Sequence, residues 1–164
     1  MQLDKFNLKD LLLTALKAEL ESKNIYELVA KKISNFLLKE RLNFLANEEY
    51  RHYLFFQNLY REEFSEGKIV LPDKIPVPLP TIQVVSEDTP VSVILSQALE
   101  SEKAAYDFYV TLASRYESKP QVKNMLLYIA SMEMGHYRLI EIERENAEKF
   151  EGFNIEYPLM HIGP

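Results

Sequence analysis

Two stretches of sequence decide the fold: LANEEYRHY at residues 45–53 and IASMEMGHY at residues 129–137. In each, a Glu is followed three residues later by a His, and each lies in a long segment with helical periodicity. Residues three apart on a helix project from nearly the same face. Each stretch can therefore direct one carboxylate and one imidazole into the same small volume.

The similarity between the two halves of the chain extends to a second pair of stretches. ALKAELESKNIY at residues 15–26 aligns with ALESEKAAYDFY at residues 98–109. Each contains a Glu seven residues before a Tyr: Glu19 before Tyr26, and Glu102 before Tyr109. The pattern predicts an internal repeat, in which two helical hairpins of similar sequence are joined in one chain.

Length, caps and prolines predict a single all-α domain. The chain has 164 residues, enough for one hydrophobic core, and only 4 of them are glycine. Capping residues and prolines predict helices over residues 7–32, 34–66, 89–117 and 119–151. We expect a four-helix bundle over residues 1–152 and an irregular tail over residues 153–164.

The connection over residues 67–88 predicts how the hairpins are arranged. Its prolines, at positions 72, 76, 78 and 80, exclude a helix. About 24 extended residues reach roughly 75 Å at about 3.1 Å each, which exceeds the ~45 Å length of such a bundle. We therefore expect a long crossover between the second and third helices, which then run parallel.

The predicted turns bring the acidic residues to one level. Glu19 and Glu49 are equidistant from residue 34, while Glu102 and Glu133 are equidistant from a point between residues 117 and 118. Each lies about 15 residues, or roughly 23 Å of helix, from its turn. The expected cluster has four carboxylates and two imidazoles: Glu19, Glu49, His52, Glu102, Glu133 and His136.

This oxygen-rich set of ligands suits two iron ions, although manganese remains open. Tyr26 and Tyr109 lie two turns beyond Glu19 and Glu102 on the same helical stripe. They are candidates for hydrogen bonds to ligating carboxylates, and plain core packing is the alternative. For the third helix, Glu102 is favoured over Glu100 because Glu100 points about 200° away around the helix.

Composition excludes several other classes of protein. The chain contains no cysteine, which excludes disulfides, thiol catalysis and Cys-bound metals. The net charge of −6 argues against a nucleic-acid partner or an anionic membrane. No apolar run approaches the roughly 20 residues of a membrane span, and the first residues lack a signal-peptide core. We expect a cytoplasmic protein.

The four quoted stretches resemble the rubrerythrin-type branch of the ferritin-like superfamily. The resemblance covers roughly residues 8–150 and implies a ferritin-like bundle with a non-haem di-iron carboxylate centre. It implies that Glu19 and Glu102 are terminal ligands. It further implies that Glu49 and Glu133 bridge the metals, with one metal bound by each His of the two motifs.

The chain departs from this family in two respects. Rubrerythrins proper carry a Cys-ligated rubredoxin-like domain, whereas this chain has no Cys. They also carry a further Glu three residues from the third-helix ligand, where this sequence has Leu99 and Ala105. The second difference weakens the transfer of peroxide reductase activity.

These features favour an oxidoreductase that reduces peroxide or O2 with electrons from an external donor protein. We also expect a homodimer. The alternatives are ferritin-like iron storage with ferroxidase activity, a metal-free helical interaction module and a dimanganese catalase-like centre.

Overall fold

The computed structural model describes residues 3–65, 68–83 and 89–156. It contains four α helices: α1 (Leu8–Lys32), α2 (Phe36–Phe64), α3 (Val91–Ala113) and α4 (Pro120–Glu156), with a short 3₁₀ helix at Ser114–Tyr116. The described ranges contain no strand, which confirms the all-α, ferritin-like class. Asparagines begin the first two helices: the side chains of Asn7 and Asn35 accept hydrogen bonds from backbone N–H groups at 2.9 and 3.1 Å.

Two helix ends differ from their predicted positions by more than two residues. α3 ends at Ala113 rather than at residue 117, because the chain tightens there into the 3₁₀ helix. α4 continues to Glu156, beyond its predicted end at residue 151. Gly152 indicates a helix end from its residue type alone, yet a helix tolerates an isolated glycine at about 1 kcal/mol. The remainder of the predicted tail, residues 157–164, lies outside the described residues.

The helices form two hairpins that meet through buried side chains at both ends of the bundle. The close backbone packing lies within the pairs α1–α2 and α3–α4. The first apolar cluster joins the start of α1 and α4 to the end of α2 and α3, through Leu11, Leu126, Phe56 and Leu112. α2 and α3 therefore end at the same end of the bundle and run parallel.

The second apolar cluster occupies the opposite end of the bundle. It joins the end of α1 and α4 to the start of α2 and α3, through Val29, Ile140, Leu42 and Leu95. Burying large aliphatic and aromatic side chains of this kind contributes about 1.5–3 kcal/mol each. The middle of the bundle, between the two clusters, is left for polar side chains.

The crossover between α2 and α3 runs along the bundle. Val77 packs into the first apolar cluster and Ile82 into the second, so the chain passes from one end toward the other. The Val77 N–H donates to Thr14 Oγ1 on α1 at 3.2 Å, and the Gln83 N–H donates to Gln97 Oε1 on α3 at 2.6 Å. The crossover therefore lies over α1 and α3.

The outer faces of the helices are charged. On α1, Lys17 pairs with Glu21 at 3.0 Å and Lys23 pairs with Glu27 at 2.9 Å. Such surface pairs contribute about 0.5 kcal/mol or less, so core burial rather than ion pairing stabilises the bundle. In the part of the chain that the structure describes, no helix has the length and apolar character that a membrane crossing requires.

Candidate metal centre

The six side chains expected as ligands lie together at the middle of the bundle. Each is at most 4% exposed. α1 and α3 each contribute one carboxylate, and α2 and α4 each contribute a Glu and a His: Glu19, Glu102, Glu49 with His52, and Glu133 with His136. The rejected candidate Glu100 is exposed. Burying this many ionisable groups is costly unless they are paired or bind metal.

The side chains fall into two groups that share two members. The first group is Glu19, Glu49, His52 and Glu133, and the second is Glu49, Glu102, Glu133 and His136. In each group, one ligand atom per residue lies within 4.8 Å of the others. Two metal ions can therefore be held side by side, with Glu49 and Glu133 placed between them.

The distances across the cluster are reciprocal between the hairpins. His52 Nδ1 lies 2.9 Å from Glu133 Oε1, and His136 Nδ1 lies 3.0 Å from Glu49 Oε1. Each imidazole thus has its nearest carboxylate on the other hairpin. The two imidazole centroids are 5.7 Å apart. The same helical spacing in α2 and α4 therefore produces matching halves of the cluster.

Several inward-facing atoms of the cluster approach one another but are not aligned for hydrogen bonds. At least one buried nitrogen or oxygen of every one of the six residues has no hydrogen-bond partner: Glu19 Oε2, Glu49 Oε1, His52 Nδ1 and Nε2, Glu102 Oε2, Glu133 Oε1 and His136 Nδ1. Unsatisfied buried polar atoms are rare in proteins. Carboxylate oxygens and imidazole nitrogens are suitable ligands for iron and manganese, so these residues fit a pair of such ions.

The two tyrosines form hydrogen bonds to the carboxyl groups of Glu19 and Glu102 across the bundle. The Tyr26 hydroxyl on α1 donates to Glu102 Oε1 on α3, and the Tyr109 hydroxyl on α3 donates to Glu19 Oε1 on α1. Burial raises the pKa of both phenols well above the ordinary value, so both stay protonated as donors. Each bond leaves Oε2 of the same carboxylate free toward the cluster.

Tyr109 also packs in the core. Its ring stacks on Phe56 with centroids 5.0 Å apart. The two interpretations of these tyrosines from the sequence, core packing and hydrogen bonding to candidate ligands, therefore both describe the structure. The hydrogen bonds further connect α1 to α3, which belong to different hairpins.

The pKa values divide the four carboxyl groups into two pairs. Burial raises the pKa of Glu19 to about 8, and the charge of Glu49 adds to the effect. It likewise raises the pKa of Glu102. Burial acts in the same direction on Glu49 and Glu133, but other contacts outweigh it and hold both pKa values below the usual range. These contacts are with Glu19 and then the two imidazoles for Glu49, and with the two imidazoles for Glu133.

The imidazoles respond to the surrounding carboxylates. Burial acts to lower the pKa of His52, but the negative charge of Glu19 outweighs it and raises that pKa above the ordinary value. Contacts with Glu102 raise the pKa of His136 in the same way. Without metal at pH 7, protons on Glu19 and on both imidazoles therefore offset much of the negative charge of the cluster.

Two further buried glutamates lie outside the cluster and were not anticipated from the sequence. Glu48 pairs with Arg51, and Glu143 pairs with Arg41 across the α2–α4 interface. Each is 7% exposed. Because each of these glutamates is paired with an arginine outside the cluster, neither is an additional candidate for a metal ligand.

Small residues beside the cluster were also missed from the sequence. Ala18, Ser22, Ser101 and Ala105 line a small cavity next to the candidate ligands. They occupy the positions one before and three after Glu19 and Glu102. Both glutamates have small residues at the same two relative positions in the sequence. This repeated pattern was the sequence feature that indicated space beside the candidate ligands.

The fold and the site define a four-helix bundle with a buried carboxylate–imidazole cluster for two metal ions. The sequence model of rubrerythrin matches residues 10–144, and the chain belongs to the rubrerythrin family. The predicted resemblance is confirmed.

The chain is also similar to a solved structure of a hypothetical protein from Pyrococcus furiosus. The two share 29% sequence identity over 91% of this chain and 95% of that chain, with a TM-score of 0.77. A comparison with curated proteins gives no significant match.

Proposed function

We propose that the protein is an oxidoreductase that holds two iron ions and reduces peroxide or O2 with electrons from an external donor. The observation that carries this proposal is the sharing of Glu49 and Glu133 by two groups of candidate ligands. Each group combines three carboxylates with one imidazole. Four carboxylates offset the charge of two divalent ions while both imidazoles remain neutral.

When bound, a pair of iron ions would supply two electrons to one small oxidant: H2O2, two electrons and two protons give two molecules of water. For O2, two electrons and two protons give H2O2. The protein contributes geometry: Tyr26 and Tyr109 hold one oxygen of each terminal carboxylate and orient the other inward. The apolar clusters above and below close the two ends of the bundle around the cluster.

The proposed electron donor is a separate protein. The chain has no cysteine, so it cannot carry the Cys-bound iron that a rubredoxin-like domain would supply. The expected homodimer likewise stays a prediction, which sedimentation analysis of the metal-loaded protein would test.

The first experiment is metal analysis of natively expressed protein. We expect about two irons per chain, with loading lost in Glu49→Ala and His136→Ala. Glu100→Ala is the matched control, because Glu100 is exposed on the helix that carries Glu102. Loading far above two per chain would favour storage, and no bound metal would favour the metal-free interaction module. Two manganese ions per chain would contradict the iron assignment.

The second experiment tests the redox step. The anaerobic diferrous protein is mixed in a stopped-flow instrument with H2O2 and, separately, with O2. We expect at least one of them to oxidise the iron within a physiological turnover time. If neither does, the oxidoreductase proposal is wrong even if the iron is bound.

A further inference from the structure

A small cavity opens directly onto the candidate metal cluster. This inner cavity has a volume of about 20 Å³, and all four carboxylate residues of the cluster line it: Glu19, Glu49, Glu102 and Glu133. A buried site needs about 10–15 Å³ to hold one water molecule. Metal ions held by these glutamates would occupy part of this volume, so the space beside them is limited to a molecule of about the size of water.

A second, larger cavity adjoins the inner one on its outer side. This outer cavity has a volume of about 380 Å³. The two share four lining residues: Ala18, Ser22, Pro80 and Ser101. The two cavities therefore adjoin each other, and the way from the outer cavity to the cluster, here called the passage, runs between these residues.

The passage exists because α1 and α3 carry small side chains where they face each other. Ala18 and Ser22 project from α1, and Ser101 and Ala105 from α3, around the inner cavity. Close backbone packing lies within the hairpins, not between α1 and α3. Larger side chains at these positions would fill the space beside the candidate ligands.

The crossover covers the passage. Leu79 and Pro80 line the inner cavity from above. The hydrogen bonds of Val77 to α1 and of Gln83 to α3 attach the crossover on both sides of this pair. Prolines at positions 76, 78 and 80 fix φ at every second residue, which stiffens the segment. The width of the passage is therefore set by a short, attached stretch of chain.

We propose that this passage is the route by which small oxidants reach the metal ions, and that Leu79 and the four small residues limit their size. H2O2 and O2 fit the inner cavity, whereas hydroperoxides with a bulky organic group stop in the outer cavity. That outer volume lies within the roughly 300–1,000 Å³ of small-molecule sites, so it can hold such a group. The proposal rests on the proposed function for the identity of the oxidant.

The passage can be tested without turnover by using azide as a small ligand of ferric iron. Azide association with the iron-loaded protein is followed by stopped-flow absorbance. Ala105→Leu places a large side chain in the inner cavity, and we expect at least a tenfold slower association at unchanged iron content. Ala104→Leu is the matched control, since Ala104 precedes it on α3 and does not line the cavity. It should leave the rate unchanged.

Ser22→Leu narrows the passage from the opposite helix and serves if Ala105→Leu fails to retain iron. The same tenfold slowing is expected. If the variants that retain iron bind azide as fast as the wild-type protein, the passage between α1 and α3 is not the route and the proposal is wrong.

The size limit is tested with two peroxides. In the wild-type diferrous protein, H2O2 should oxidise the iron at least tenfold faster than cumene hydroperoxide, which would yield the alcohol and water with the same two electrons and two protons. Leu79→Ala should accelerate the cumene hydroperoxide reaction at least tenfold. Leu71→Ala is the matched control, because Leu71 lies on the crossover and packs on the same apolar cluster as Leu79 but does not line the inner cavity. Equal rates for both peroxides, or no effect of Leu79→Ala, would overturn the size limit.

The outcomes separate this inference from the proposed function. If Ala105→Leu slows azide but neither peroxide nor O2 oxidises the iron, the passage stands and the redox role fails. If peroxide oxidises the iron at a rate that neither Ala105→Leu nor Ser22→Leu alters, the redox role stands and the passage fails.

Discussion

Loading the metal-free protein with divalent iron should release protons from the cluster. Burial raises the pKa of Glu19 to about 8 and also raises that of Glu102. The pKa values of His52 and His136 are raised by neighbouring carboxylates. At pH 7 Glu19 and the two imidazoles hold protons without metal, and the raised pKa of Glu102 favours a fourth, whereas all four groups bind metal in the deprotonated form. Up to four protons therefore leave as two divalent ions enter.

The pH dependence of this exchange has a definite sign and size. If two protons leave for each ion, the apparent association constant of the metal rises by about two decades per pH unit. This is about 2.7 kcal/mol of binding free energy per ion for each pH unit. Lower pH weakens binding because protons compete with the metal. Above a pH of about 8 the Glu19 proton has already left, so the number released per pair of ions should fall by one.

The assay is anaerobic titration of weakly buffered metal-free protein with ferrous iron in the presence of a pH indicator. Calorimetry in two buffers with different ionisation enthalpies gives an independent proton count. Glu102→Gln should release one proton fewer per pair of ions, whereas Glu100→Gln should match the wild-type protein because Glu100 is exposed. Release of less than about one proton per ion at pH 7, or an affinity that is constant between pH 6 and 7, would refute this reasoning.

Four further predictions concern stability and ligand positioning. Gly135→Ala should raise the free energy of unfolding by about 0.5–1 kcal/mol in urea titrations, because an added Cβ there meets nothing within 4 Å and alanine favours the helix; a loss of stability would contradict it. Phe56→Ala should lower that free energy by about 3–5 kcal/mol, since Phe56 is fully buried, and a change below about 1 kcal/mol would be inconsistent with the first apolar cluster. Tyr109→Phe removes the hydrogen bond to Glu19 and should weaken metal binding about 10–100-fold in chelator competition, whereas unchanged affinity would assign Tyr109 to packing alone. The melting temperature of the metal-free protein should fall as the pH rises from 5 to 9. A carboxyl group whose pKa is raised by folding stabilises the folded protein fully below its ordinary pKa of 4.5, and for Glu19 this stability is lost as the pH rises through about 8. A flat or rising melting temperature in calorimetry would contradict this.

Helical spacing and turn position explain why the cluster could be predicted from the sequence. Glu49 and His52, three residues apart, necessarily share a helix face, and Glu133 with His136 repeats the arrangement. Equal distances from the turns then place Glu19 beside Glu49. These relations depend only on the regular rise of a helix, so local pattern was sufficient.

The crossover shows where such reasoning stops. Its prolines predicted an extended connection of sufficient length, and the parallel course of α2 and α3 agrees with that expectation. They did not predict that Leu79 and Pro80 lie over the inner cavity. An extended segment has no repeating face, and its position depends on contacts such as that of Val77 with Thr14, which is distant in sequence. The identity of the metal stays open for another reason, because iron and manganese accept the same ligands.

The sharing of the two central glutamates has a consequence for half of this molecule. A lone α1–α2 hairpin contains three ligands of the first group, and what it lacks is a carboxylate in the position of Glu133. The second hairpin is deficient in the same way, and its missing ligand is Glu49. The two halves of the bundle therefore depend on each other for a complete set of ligands, so metal ions bound at the cluster would link α2 to α4 across the two hairpins.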